Sequence, residues 1–381
     1  MAFRYLAAGE HPDHDCIATF RQRHLKPLSE LFTQALLMCD KAGLVKLGHV
    51  AIDGTKLKAN ASKHKAMSYE RMSEKEKQLR EEVEKLLAEA AKADADEDAK
   101  YGPGKRIDEL PKELARRESR LKTLEKAKAE LEQESKERAE AKKAAAEARL
   151  EDRRQQEQEQ GKKLGGRPPQ APDPEQAKPE PKAQRNFTDM DSRIMKDGAT
   201  KEFVQGYNAQ AAVDSKAQII VAAEITQQAN DKQQLVPMVQ AVVSNLGKKP
   251  EHVTADAGYF SEKAVTDEAV KGVDLLVAVS REKHGSATEP GTQTAKEDKT
   301  QEPSATETMR EKVSSAAGKA IYKFRKAVVE PVFGQIKEVR GLRRFLLRGL
   351  EKVSAEWKII CLTHNVLKMF QAGVRPQAVK I

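Results

Sequence analysis

An apolar run that closes on an aspartate and a nearby glycine occurs twice in this chain, and the two copies restrict the fold more than any other feature of it. The first is His49-Val50-Ala51-Ile52-Asp53-Gly54-Thr55-Lys56-Leu57-Lys58-Ala59-Asn60, and the second is His252-Val253-Thr254-Ala255-Asp256-Ala257-Gly258-Tyr259. Each run reads as a buried strand, with the carboxylate where the strand stops and the glycine allowing a sharp exit. In open α/β sheets, ligands gather just beyond the carboxyl ends of strands, so both aspartates are placed for chemistry and not for packing. A third acid able to join them is Glu330, in the late amphipathic segment Val328-Val329-Glu330-Pro331-Val332-Phe333-Gly334-Gln335-Ile336-Lys337.

Apolar residues make up 39% of the 381 and charged residues 33%, so part of the chain lies outside any globular core. The formal net charge of +9 fits a polyanionic partner, with nucleic acid favoured. Cys16, Cys39 and Cys361 are widely spaced in apolar surroundings, which argues against a disulfide framework or a zinc site and for a reducing compartment. No stretch approaches the roughly 18 continuous apolar residues of a membrane span. The start also lacks a basic region followed by an apolar signal core. A cytoplasmic protein without membrane contact is expected.

Residues 1–47 read as a helical region, with Gly43 as its stop, and 48–66 as the first acid-bearing strand and its following loop. From Tyr69 the composition turns to Glu, Lys, Arg and Ala. Ser73 with Glu76 gives a capping-box pattern, and Leu79, Val83, Leu86, Leu87 and Ala90 follow at coiled-coil spacing. Tyr101-Gly102-Pro103-Gly104 breaks the pattern, and Leu110, Leu114, Leu121, Leu124 and Leu131 resume it. Residues 67–160 are therefore expected to form an inserted helical hairpin, and the Pro/Gln/Lys-rich 161–184 a disordered linker.

Residues 185–284 carry the resumed core. Asn186 to Lys196 reads as a loop near the site, Val204–Val213 and Ala217–Thr226 as a hairpin of strands, and Asn230 or Asp231 as a cap for a helix whose regular part begins near Pro237. The Asp256 strand, a helix from about Ser261 and a strand Val273–Val279 follow. Residues 285–308 are expected to be disordered. Residues 309–372 form C-terminal helices bearing Glu330, and 373–381 a tail. Pro331 disfavours α geometry at Glu330, so either a helix begins there or a helix is kinked.

With the hairpin lifted out, the order of elements gives an α/β mixed sheet with flanking helices, Asp at the end of its first and fourth strands and Glu on a late helix. That arrangement resembles the ribonuclease-H-like nucleotidyl-transfer fold. The match extends to the DDE transposases of bacterial insertion sequences, in the branch with a long coiled-coil insertion after the first aspartate. The residues that carry it are Ile52-Asp53-Gly54-Thr55-Lys56, Gln205-Gly206-Tyr207-Asn208-Ala209-Gln210, Thr254-Ala255-Asp256-Ala257-Gly258-Tyr259, and the Glu330 segment with Arg340-Gly341 and Phe345-Leu346-Leu347-Arg348-Gly349 behind it. Relatives carry a further helical region ahead of the segment that opens here, so on that resemblance the chain reads as N-terminally truncated.

The resemblance implies a transposase that cuts insertion-sequence ends and joins them to target DNA, working on the bacterial nucleoid. Its partners would be double-stranded DNA, both terminal repeats and target, and a second copy of itself or more on paired ends. Two Mg²⁺ or Mn²⁺ ions would be held by Asp53, Asp256 and Glu330, with Asp53 as the bridge. Physical chemistry agrees, because two hard cations held by carboxylates activate an oxygen nucleophile and stabilise the leaving oxygen at phosphorus. Tyr322, Arg325, Glu330 and Lys337 resemble the Tyr, Arg, Glu, Lys signature of related transposases, although four residues separate Arg325 from Glu330 where the commonest signature has three. Arg325 and Lys337 would clamp DNA phosphates or pair within the helix. Lys56, Lys58, Arg340, Arg344 and Arg348 are the further DNA-contact candidates. Two rival readings are a nuclease of the same fold without strand transfer, and a DNA-binding remnant without catalysis.

Overall fold

A computed structural model describes residues 10–101, 112–161, 165–166, 170–198, 200–280 and 304–374. They divide into two compact units, one formed by the residues up to Ala61 and from Asp191 onward, the other by Ser62–Met190.

The first unit is built on a six-stranded mixed sheet. Its centre is β1 (His49–Lys58), antiparallel to β5 (Phe203–Asp214) on one side and parallel to β7 (His252–Ala255) on the other; β8 (Asp274–Val277) lies parallel outside β7. The far edge of β5 is shared by β4 (Arg193–Lys196) and β6 (Ile220–Thr226), both antiparallel to it. This is the ribonuclease-H-like order. Continuous burial from Val204 to Asp214 marks β5 as covered on both faces. Gly206 is required there because a Cβ would run into the Leu57 carbonyl of β1. The β5–β6 turn is locked by the buried Asp214, whose Oδ1 accepts from Lys216 N at 2.9 Å and whose Oδ2 accepts from Leu47 N at 2.7 Å.

Helices α1 (His14–Arg23), α2 (Leu25–Lys41), α5 (Leu235–Leu246), α6 (Glu262–Val265), α7 (Ala305–Ser314), α8 (Ala316–Gly334) and α9 (Leu350–Gln371) flank the sheet. On α9, Val353, Trp357, Ile360, Cys361 and His364 line one buried face, whereas Leu367 is exposed. Trp357 also donates Nε1–H to the Gln210 carbonyl at 2.9 Å, so its large apolar ring is buried with its polar atom satisfied. No helix among the described residues is long and apolar enough to cross a membrane.

Several expectations are corrected. β1 does not stop at Asp53, because antiparallel pairing with β5 carries it on to Lys58; only the parallel pairing with β7 ends early, at Ala51. Segment 186–196 is not all loop, since β4 pairs with β5. Helix α8 neither begins nor breaks at Glu330: it runs through Pro331 into a π-helical turn at Gln335–Val339. Pro331 has no N–H to give to the Ala327 carbonyl, and Gln218 Nε2 supplies that donor from outside the helix at 3.0 Å. Ser304–Thr308, expected to be disordered, form a capping box and the first turn of α7; the rest of that segment, Gly102–Gly104, Leu110, residues 1–9 and most of the tail lie outside the described residues.

The second unit contains α3 (Tyr69–Tyr101) and α4 (Lys112–Gln160) with the small antiparallel pair β2 (Ala66–Ser68) and β3 (Gln184–Asn186). The helices run antiparallel, since rising positions Tyr69, Glu76, Arg80 and Glu82 meet falling positions Glu132, Lys128, Glu125 and Arg117. Met72 and Leu79 pack on Leu124, Ala127 and Leu131. Ser73 and Glu76 lie inside α3 and not at its start; the buried Glu76 pairs with Arg80 and Lys128. Described residues 170–184 of the expected linker are held by specific contacts: the Ala183 carbonyl accepts from Tyr69 N at 2.8 Å, and Glu175 pairs with Lys136.

Candidate active site

Where β7 ends at Ala255, the adjoining edge of β1 is left open, and Asp256 follows into that gap opposite Asp53. Each carboxylate is tethered to backbone close by in the sequence: Asp53 Oδ1 accepts from Gly54 N and Asp256 Oδ1 from Gly258 N, both at 2.8 Å. Burial pushes the Asp53 carboxyl up to about 6; the Arg325 guanidinium pulls it back, and the neighbouring Asp256 adds to the rise.

Side chains alternate across a strand, so Asp53 and Thr55 face one way and Gly54 and Lys56 the other. Helix α8 and its π turn address the first face. Arg325 Nη1 reaches Asp53 Oδ2 at 3.1 Å with only 8% of its side chain exposed, and Lys337 Nζ donates to Thr55 Oγ1 at 2.6 Å. The Arg325 guanidinium lies 5.8 Å from the centre of the Tyr322 ring.

The second face is a polar cradle. Asp231 Oδ1 accepts from Asn208 Nδ2 at 2.6 Å and Gln210 Nε2 at 2.7 Å, and lies 3.5 Å from Lys56 Nζ. The buried Tyr259 hydroxyl donates to Gln210 Oε1. Its phenol is held neutral, well above the usual range, by burial first and by the surrounding carboxylates. Gly54 has no side chain because this cradle fills the space: a Cβ would collide with Gln210 Nε2 and lie 2.9 Å from Asp231 Oδ1. Asp231 does not cap α5, as expected from sequence; the cap position is Gln234, which makes no side-chain cap bond. The signal that could have exposed it is the pair of buried polar residues, Asn208 and Gln210, alternating in a strand otherwise rich in Ala and Val.

Of the three expected acids, the structure brings Asp53 and Asp256 together. Glu330 is exposed on α8, and no three His, Cys, Asp or Glu side chains among the described residues converge as a metal-holding group. The paired carboxylates nonetheless present hard oxygen donors where the edge of β1 is open. Such a donor set fits a divalent cation of the Mg²⁺ or Mn²⁺ type.

The expected DNA contacts separate into two groups. Lys58 and Arg344 are exposed and joined by a backbone bridge, and Arg348, also exposed, gives Nε–H to the Asn60 carbonyl at 2.9 Å. Lys56, Arg325 and Lys337 are engaged within the site. Arg340 is engaged on α9, donating to the Ile360 carbonyl at 3.1 Å. Asp191 and Asp197 serve backbone amides: Asp191 Oδ2 accepts from Leu350 N and Asp197 Oδ1 from Thr200 N. Asp189 belongs to the other unit, where its backbone N–H donates to the Asn186 side chain.

Residues 174–366, just over half of the chain, match a family model described as the transposase DDE domain. The matched span holds Asp231, Asp256 and Glu330 and begins beyond Asp53. No curated protein and no solved structure matches the chain.

Proposed function

Because the chain belongs to the family of transposases with a DDE domain, we propose that it cuts the ends of an insertion sequence and joins the freed 3′ hydroxyl to target DNA, working as at least a dimer on paired ends in the bacterial cytoplasm. The observation that carries this reading is the Asp53–Asp256 pair at the open end of β7, backed by basic side chains.

Asp53 and Asp256 would hold divalent cations, with Glu330 as the third acid of the set. When bound, two Mg²⁺ or Mn²⁺ ions supply activation of the attacking oxygen and stabilisation of the leaving one. The chain's own residues do the rest. Arg325 offsets the charge of Asp53 and keeps its carboxyl more acidic than burial alone would allow. Lys337 fixes Thr55, and hence the strand next to the acid. Lys58, Arg344 and Arg348 present exposed cations to the phosphate backbone, which position DNA without reading its sequence. Cleavage and joining are both in-line displacements at phosphorus, so one site serves both.

The test is Mn²⁺-dependent cleavage of DNA carrying the element ends, comparing wild type with Asp256→Asn. Cuts at the ends and strand-transfer joints, both lost in the variant, are expected. Cuts without joints would make the protein a nuclease. Bound but uncut DNA would make it a binding remnant.

A further inference from the structure

We infer that Asp231 is a positioning residue of this site: clamped by Asn208 and Gln210, it fixes the Lys56 ammonium beside the Asp53–Asp256 pair. Asp231 stands far from both acids in the sequence, and the resemblance to transposases assigns it nothing.

The clamp is specific. Asp231 Oδ1 receives two amide hydrogen bonds, from Asn208 and Gln210, which are neighbours on one face of β5. Asn208 is further fixed by its bond to the Gln228 carbonyl at 3.1 Å, and Gln210 by the Tyr259 hydroxyl. The carboxylate therefore cannot swing away from Lys56 without breaking bonds to buried donors. Lys56 is only 12% exposed in its side chain, and among the described residues Asp231 is its one ion-pair partner. Asp53 and Asp256 also lie within electrostatic reach of the ammonium. A desolvated ammonium needs this counter-charge to stay in place. The polar positions of Gln205-Gly206-Tyr207-Asn208-Ala209-Gln210 thereby acquire a purpose: they build the seat of Asp231.

Seen from the acids, β1 is addressed by cations on both faces, Arg325 on the side of Asp53 and Lys56 on the side of Gly54. Lys56 then meets a phosphodiester at this site from a set direction. A loose surface lysine would have none.

Two readouts test this, and only the second rests on the cleavage reading above. In the first, all lysines are reductively methylated and Lys56 is compared with the well-exposed Lys271 by mass spectrometry. Asp231→Asn keeps the acceptor for Asn208 and Gln210 but removes the charge, so Lys56 should label on the order of tenfold faster than in wild type, the equivalent of one pH unit of lost stabilisation. Labelling within twofold of wild type would overturn the inference. Should Asp231→Asn not fold by circular dichroism, Asn208→Ala, which loosens the clamp and keeps the charge, decides by the same ratio.

The second readout is Mn²⁺-dependent DNA cleavage by Asp231→Asn, Lys56→Gln and the double variant. If Asp231 acts through Lys56, the double variant cuts no more slowly than Lys56→Gln alone. Multiplying losses would mean that Asp231 acts on its own and would overturn the inference. A wild type that cuts nothing would refute the proposed function, while the labelling ratio still decides the role of Asp231.

Discussion

Asp53 is held at about 6 by burial and by Asp256, against the pull of Arg325. The raised value means that the folded protein holds a proton there which the unfolded chain releases near 3.8, so this group's contribution to stability is present at low pH and is lost as pH rises from about 4 to 6. Cation binding runs the other way, because it requires the carboxylate. Arg325→Met should therefore move the midpoint of Mn²⁺ uptake upward from that of wild type, measured by paramagnetic resonance over about pH 5 to 8. An unmoved midpoint would show that Arg325 does not set the acid. Gly54→Ala inserts a methyl group into the filled cradle and should destabilise by about 1–3 kcal/mol in thermal or urea unfolding. Both strand aspartates were legible in the sequence because an apolar run, an acid and a nearby glycine are local neighbours. Asp231 was not, because its significance depends on Asn208 and Gln210, some 20 residues earlier on β5.

Among the elements, strands β5 and β6 and helix α9 announced themselves through apolar runs and a buried face, whereas β4 has four residues and a single buried side chain, too short a pattern to read. The passage of α8 through Pro331 was illegible for a different reason: the donor that replaces the missing N–H comes from Gln218, in the β5–β6 connection. Gln218→Ala strips the Ala327 carbonyl of this partner and should cost about 1 kcal/mol, and Pro331→Ala in the same chain should recover part of it by restoring the helix's own donor. Nearby, burial pushes His364 down to about 4, with its ring bonded to the Gln218 carbonyl and to Gln335. A depressed base stabilises above its unfolded value. Acid titration from about pH 6.5 to 4 should cost wild type on the order of 3 kcal/mol more than it costs His364→Gln.

For the whole molecule, composition revealed that a charged helical segment interrupts the sheet, but it misplaced the far boundary, since Pro-rich residues from 170 onward bond to the start of α3. The interruption is separable on geometric grounds. Lys58 and Arg193 both pair with Gly206 from opposite edges of β5, two strand spacings or about 10 Å apart. A Gly/Ser linker of roughly six residues spans that gap comfortably. Replacing Ser62–Met190 with such a linker should leave the sheet-bearing unit cooperatively folded by circular dichroism and still able to take up Mn²⁺.

The same interruption sets a timetable for synthesis. β1 leaves the ribosome long before β5 and β7, the two strands that cover its edges. Translation of the roughly 145 residues between Lys58 and Phe203 takes roughly 7 to 30 s. Through that interval the nascent chain carries an unpaired apolar strand ahead of helices that fold from local contacts alone, which makes the moment before β5 emerges the one at which a chaperone has most to protect.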